Sequence, residues 1–109
     1  MITTHILDTS RGKPAPNVAV KLEMRRDDEW QEVGRGATDG DGRCKSLTPA
    51  ALKPGVYRLW FDIASYFREQ HIETFFPEVV VIFRIDDAAQ HYHVPLLVSP
   101  YGYSTYRGT

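Results

Sequence analysis

The sequence has a single cysteine, Cys44. One thiol cannot close an intramolecular disulfide, which excludes a disulfide-stapled scaffold and fits a reducing compartment. Long apolar runs are also missing. The longest, VVVIF at residues 79–83, falls far short of the roughly 20 residues that a membrane-spanning helix needs. The stretch MITTHILDTS lacks a basic start followed by an apolar core, so neither a secretory signal nor an anchor is expected, and the cytoplasm is the expected compartment. Neither sign of charge dominates: the formal net charge is −1, with no basic block and no acidic tail. Such a surface sets up no broad field to recruit nucleic acid or membrane. No internal repeat, low-complexity segment or interior boundary interrupts the chain, so residues 1–109 are expected to form one domain around one core. Helical periodicity is almost absent as well, and only ASYFREQH reads as helix, about two turns of it.

What the sequence does contain is period two. In NVAVKLEM, Val18, Val20, Leu22 and Met24 share one face, while Ala19, Lys21 and Glu23 share the other. In GVYRLWFDI, Tyr57, Leu59, Phe61 and Ile63 oppose Val56, Arg58, Trp60 and Asp62. EVVVIFRID begins apolar on both faces, as a central strand would. MITTHILD, EWQEVGRGATD and YHVPLLVS add three further strands. Between them lie RGKPAPN, LKPG and TDGDGR, the last with two Asp-Gly pairs that predict a tight hairpin connection. Many short strands with frequent turns predict an all-β fold, an antiparallel sandwich or barrel.

Several residues on these strands could carry chemistry. Alternation puts Ile2, Thr4 and Ile6 on the apolar face of the first strand and turns Thr3, His5 and Leu7 outward. His91 and His93 are two apart and share a face opposite Tyr92, Val94, Leu96 and Val98, so both also point outward. Pro95 cannot donate to a ladder and predicts an edge strand or a local irregularity. A His-x-His pair is too few ligands for a metal site, so no metal is expected. Arg43 follows the double Asp-Gly turn, and its neighbour Cys44 is expected to pack inward. TDGDGR is not an EF-hand loop, because Arg43 would occupy a ligand position. GYSTY is not a nucleophile elbow. For His5, Arg43, His91 and His93 a solvated surface side chain is the simpler alternative, and spacing does not say whether they converge. The last nineteen residues, HYHVPLLVSPYGYSTYRGT, hold two of the four histidines and four of the six tyrosines, unusual content for what is commonly loose polar chain.

The closing YHVPLLVSPYGYSTYRGT resembles the C-terminal signature of the 5-hydroxyisourate hydrolases, transthyretin-related proteins of urate degradation. That signature ends Tyr-Arg-Gly-Ser; here it is Tyr106-Arg107-Gly108-Thr109, in which threonine keeps the hydroxyl and adds a methyl. THILDTSRGKPAPNVAVKLE, TDGDGR, PGVYRLWFD and FFPEVVVIFRI are similar to further motifs of the family, in order along essentially the whole chain. The resemblance implies a prealbumin-like β-sandwich with one short helix, assembled as a homotetramer (a dimer of dimers) with sites in a groove between dimers. It implies opening of 5-hydroxyisourate to 2-oxo-4-hydroxy-4-carboxy-5-ureidoimidazoline, without cofactor. By motif position it assigns His5, Arg43, His93 and Thr109 to catalysis and His5, Arg43 and Tyr106 to substrate binding. His91 matches no motif position and reads as a surface residue. Two rivals remain at this level: a transthyretin-like module that binds a small ligand without chemistry, and a structural sandwich domain.

Overall fold

The computed structural model describes residues 1–109. Alternation resolves into two packed sheets. One contains β1 (Ile2–Asp8), β2 (Lys13–Pro14), β5 (Arg43–Cys44), β8 (Tyr92–Ser99) and β9 (Gly102–Thr105), in the order β2-β1-β8-β9, with β5 also paired to β1. The other runs β4-β3-β6-β7, formed by β3 (Ala19–Arg26), β4 (Glu29–Ala37), β6 (Gly55–Asp62) and β7 (Glu78–Ile85). All pairings are antiparallel except β1 with β8, which run parallel. The inner rows are those the alternation assigns. Ile2, Ile6, Val94, Leu96 and Val98 of the first sheet meet Val20, Leu22, Tyr57, Leu59, Phe61 and Val79 of the second, all buried. Each such side chain contributes about 1.5–3 kcal/mol on burial. Cys44 is 2% exposed and packs inward, as expected.

The single helix, α1 (Ile63–Arg68), starts where Asp62 accepts a hydrogen bond from the Ser65 amide at 3.2 Å, an ordinary N-cap. It buries Ile63, Tyr66 and Phe67. Tyr66 ties the helix to β1: its hydroxyl donates to the fully buried Asp8 carboxylate at 2.7 Å, which also accepts from the Ser10 amide and hydroxyl. Burial first, and the Asp8 carboxylate next, push the Tyr66 phenol above its ordinary value. Tyr66→Phe, read by urea unfolding, is expected to cost about 1.5–3 kcal/mol, the worth of a hydrogen bond to a charged group.

Three expectations are corrected. β7, the EVVVIFRID segment, is an edge strand and not a central one. Its outer Val80 and Ile82 are 38% and 60% exposed, because apolarity reports burial and not the number of neighbouring strands. TDGDGR is a tight turn but not a hairpin, since β5 pairs with β1 in the opposite sheet and not with β4. The chain crosses between sheets there. Pro95 is buried on an interior strand, not an edge. It is nonetheless a local irregularity: β8 pairs with β9 from Ser99 to Leu96, the ladder stops at Pro95, and one bridge resumes at His93 with Gly108. The missing amide of proline accounts for the gap, and the Thr105 hydroxyl donates to the Pro95 carbonyl at 2.7 Å instead. A hairpin that composition did not flag joins β3 to β4 through Asp27 and Asp28, with φ of 52° and 64°. Asp tolerates that left-handed region well enough to close a two-residue turn.

Candidate active site

Residues paired across a sheet share a face. His5 of β1 lies opposite Arg43 of β5, and Thr3 of β1 lies beside His93 of β8. Ile2, Thr4 and Ile6 occupy the inner face, so Thr3, His5, Arg43 and His93 collect on the outer one. Three adjacent strands carry them, spaced about 4.8 Å apart. Residues distant in sequence are thus brought together by the parallel β1–β8 pairing and by the short β5 on the other side of β1.

The turn before Arg43 is closely specified. One Asp39 carboxylate oxygen accepts from the amides of Asp41 and Arg43 at 2.9 and 3.0 Å. These bonds, that from Arg43 foremost, hold the Asp39 carboxyl below its ordinary range. Gly42 has φ 74°, and a Cβ there would come within 2.5 Å of the Ile6 carbonyl oxygen, so the turn needs glycine for both conformation and space. Arg43 itself is exposed. The ion pairs of the chain are Arg35 with Glu32 and Arg58 with Glu23; the Arg43 guanidinium faces the cleft without a carboxylate partner.

His93 is half-buried, and its Nδ1 lies 2.8 Å from the Thr3 hydroxyl. Burial is the first cause that lowers its pKa from the ordinary 6.5; the charges of Arg43, His5 and His91 follow, and hydrogen bonding to the Thr3 backbone opposes them. The ring is therefore neutral at neutral pH, which leaves one nitrogen lone pair available. The chain's tail seats this ring. The Gly108 amide donates to the His93 carbonyl at 2.8 Å, and a Cβ on Gly108 would meet the imidazole Cδ2 at 2.6 Å. Arg107 lies over the Tyr92 ring at 4.8 Å and donates to the Gln90 side chain at 3.2 Å. The last residues are folded onto β8.

The resulting cleft, about 350 Å³, is lined by Thr3, Arg43, Lys45, His91, His93 and Thr109, together with Met1 and Thr4. Of the residues singled out in the sequence, Arg43, His93 and Thr109 meet in it. His5 is not part of the lining but sits beside Arg43 and contributes to the field at His93. Tyr106 is set apart: 60% exposed, it lines a second cavity of about 220 Å³ between β7 and the tail, which shares His93 with the first. His91 was read as a plain surface residue, yet it lines the cleft, and its Nε2 is 3.2 Å from the Thr3 hydroxyl. The available signal was its shared face with His93; the missing information was that Thr3 lies between them. No three His, Cys, Asp or Glu side chains gather closely enough to hold a metal ion, and no helix is long and apolar enough to cross a membrane.

A two-sheet sandwich whose own tail packs on His93 beside an outward cluster of imidazole and guanidinium defines a class, and comparison with known proteins identifies it. Residues 2–108 match the model of the HIUase/Transthyretin family, to which this chain belongs. The 5-hydroxyisourate hydrolase of Salmonella typhimurium is 51% identical over 110 residues, spanning 100% of this chain and 81% of that protein. Among solved structures, the 5-hydroxyisourate hydrolase of Klebsiella pneumoniae superposes with a TM-score of 0.84 at 36% identity, over 99% of this chain and 98% of its own. Transthyretin from Sparus aurata superposes with a TM-score of 0.91 at 32% identity, over 98% and 95% of the two chains.

Proposed function

We propose that this protein is an enzyme that hydrolyses 5-hydroxyisourate in urate degradation. The observation that carries this reading is the cleft itself, where Arg43, His93 and Thr109 come together under the folded tail. Fold likeness cannot choose between hydrolase and carrier, because the Sparus aurata transthyretin superposes as well as the Klebsiella pneumoniae enzyme. The cleft chooses. It is lined by one imidazole pair, two cationic side chains and hydroxyls, whereas a passive site for an apolar ligand would be lined chiefly by hydrophobic and aromatic side chains.

The chemistry follows from the groups. Opening a cyclic acyl–nitrogen bond needs a nucleophile stronger than neutral water. His93, neutral at neutral pH, removes a proton from the attacking water, with His5 adding to the polar field. Water oxygen bonds to the carbonyl carbon, and the oxyanion that forms is met by the planar, permanently charged Arg43. The carbon–nitrogen bond then breaks, and the imidazolium returns its proton to the leaving nitrogen. The new carboxylic acid ionises, so one proton leaves per turnover. Thr109 orients water or substrate through its hydroxyl, and Tyr106, in the adjoining cavity that shares His93, contacts the part of the substrate that extends past that ring. Acidification protonates the base, so kcat/KM is expected to fall as pH drops below neutrality and not on the alkaline side of the imidazole range. A pH–rate series measures this directly.

Assembly as a homotetramer is supported by the edge strands β7 and β9, in or beside which Val80, Ile82, Tyr101, Tyr103 and Tyr106 are exposed. Exposed edges and apolar rows of this kind call for a partner. The free, buried Cys44 supports a reducing compartment such as the cytoplasm. The enzymatic reading is tested by generating 5-hydroxyisourate in place from urate and a urate oxidase and following its ultraviolet absorbance. The protein accelerates the decay; a decay no faster than in buffer overturns the reading.

A further inference from the structure

His91 and Thr3 have no part in the chemistry described above, yet they are linked to His93. The Thr3 hydroxyl oxygen lies 2.8 Å from His93 Nδ1 and 3.2 Å from His91 Nε2. Thr3 is 8% exposed, and the two imidazoles lie nearly parallel, with centroids 6.4 Å apart and planes 17° apart. A hydroxyl carries one proton. It can donate to one ring while accepting from the other, but it cannot donate to both, so the tautomers of the two histidines are coupled through it.

We propose that Thr3 and His91 are positioning residues that select the tautomer of His93 in which Nε2 is the base. This role rests on the hydrolase reading. For Nε2 to accept a proton from water, the neutral His93 ring must carry its own proton on Nδ1. That N–H donates to the Thr3 oxygen, and the Thr3 hydroxyl must then donate onward to a lone pair on His91 Nε2. Neutral His91 supplies that lone pair when its own proton is on Nδ1. Protonated His91 does not: its Nε2–H donates to Thr3, the hydroxyl turns to donate to His93 Nδ1, and the His93 proton moves to Nε2. The base is lost although His93 itself remains neutral. His91 is exposed. The other charged groups facing this pair are Arg43, Lys45, His5, the Met1 amino group and the carboxyl end at Thr109, while Arg107 is engaged by Gln90. None of them touches the Thr3 hydroxyl, whose side-chain partners are the two imidazoles.

The coupling makes a proton on either imidazole sufficient to silence the site, so activity requires both rings to be unprotonated and the acid limb of kcat/KM is steeper than a single ionisation allows. Turnover of 5-hydroxyisourate by the full chain against pH tests this, in wild type and three variants. His91→Gln keeps an acceptor for the Thr3 hydroxyl but cannot titrate, and its acid limb is expected to follow one proton. Thr3→Val is expected to lower kcat about 10–100-fold, the scale on which losing the partner that orients a metal-bound imidazole acts, with KM unchanged. Thr3→Ser is expected to restore kcat. A wild type that accelerates the decay, with a limb unaltered by His91→Gln or a Thr3→Val variant at wild-type kcat, overturns this assignment alone. A wild type that does not accelerate the decay overturns the hydrolase reading beneath it.

Discussion

Replacing His93 by alanine is expected to lower kcat for 5-hydroxyisourate opening by about 10²–10⁴-fold, the contribution of a positioned general base. Three features favour His93 as the proposed base. It lines the cleft, Nδ1 is held by Thr3, and the ring is kept neutral first by burial and then by Arg43, His5 and His91. The side chain lies on the outer face of β8, opposite the inward Tyr92 and Val94, so its loss removes no core packing. Rapid-mixing absorbance measurements at saturating substrate report the rate, and circular dichroism reports the sheets. Wild-type turnover in a folded His93→Ala chain would refute the assignment.

Arg43→Ala is expected to cost about 10²–10³-fold in kcat, the loss seen when one oxyanion donor is removed. The Arg43 cation faces the cleft without a carboxylate partner, and its backbone is fixed by Asp39 and by the constrained Gly42. Preorganisation of this kind means that little reordering is needed as charge develops on the substrate. Because the turn is held through backbone amides and not through the guanidinium, the variant should fold normally. Arg43→Lys separates charge from shape, since lysine keeps the charge and loses the planar fork. Recovery of most of the rate by lysine would mean that the long-range field, and not the paired donors, stabilises the oxyanion.

Much of the fold was legible because period two is a local property. Val18, Val20 and Leu22, and likewise Tyr57, Leu59 and Phe61, are buried as their spacing requires. The outward direction of His5 and His93 and the inward direction of Cys44 follow from the same rule. What alternation does not encode is which strand lies next to which. β7 looked central because its residues are apolar on both faces, and the free edge beside it is a fact about neighbours. Convergence of Arg43 with His93 depends on β1 lying between their strands, a long-range pairing that no spacing reveals. That the tail closes the cleft was implied by family resemblance. The physical devices, a ladder gap at Pro95 and a glycine against the imidazole at Gly108, became visible in three dimensions. His91 reads as a plain surface residue in the sequence because its link to His93 runs through Thr3, which is 88 residues away.

The central claim is that the folded tail and the outer-face cluster form one catalytic cleft. Comparison of the full chain with a chain ending at Thr105, under identical single-turnover conditions with freshly generated 5-hydroxyisourate, tests it most directly. The account predicts acceleration by the full chain and only the buffer rate from the shortened one, with the two sheets intact in both. A shortened, folded chain that opens the substrate as fast as the full one would contradict it.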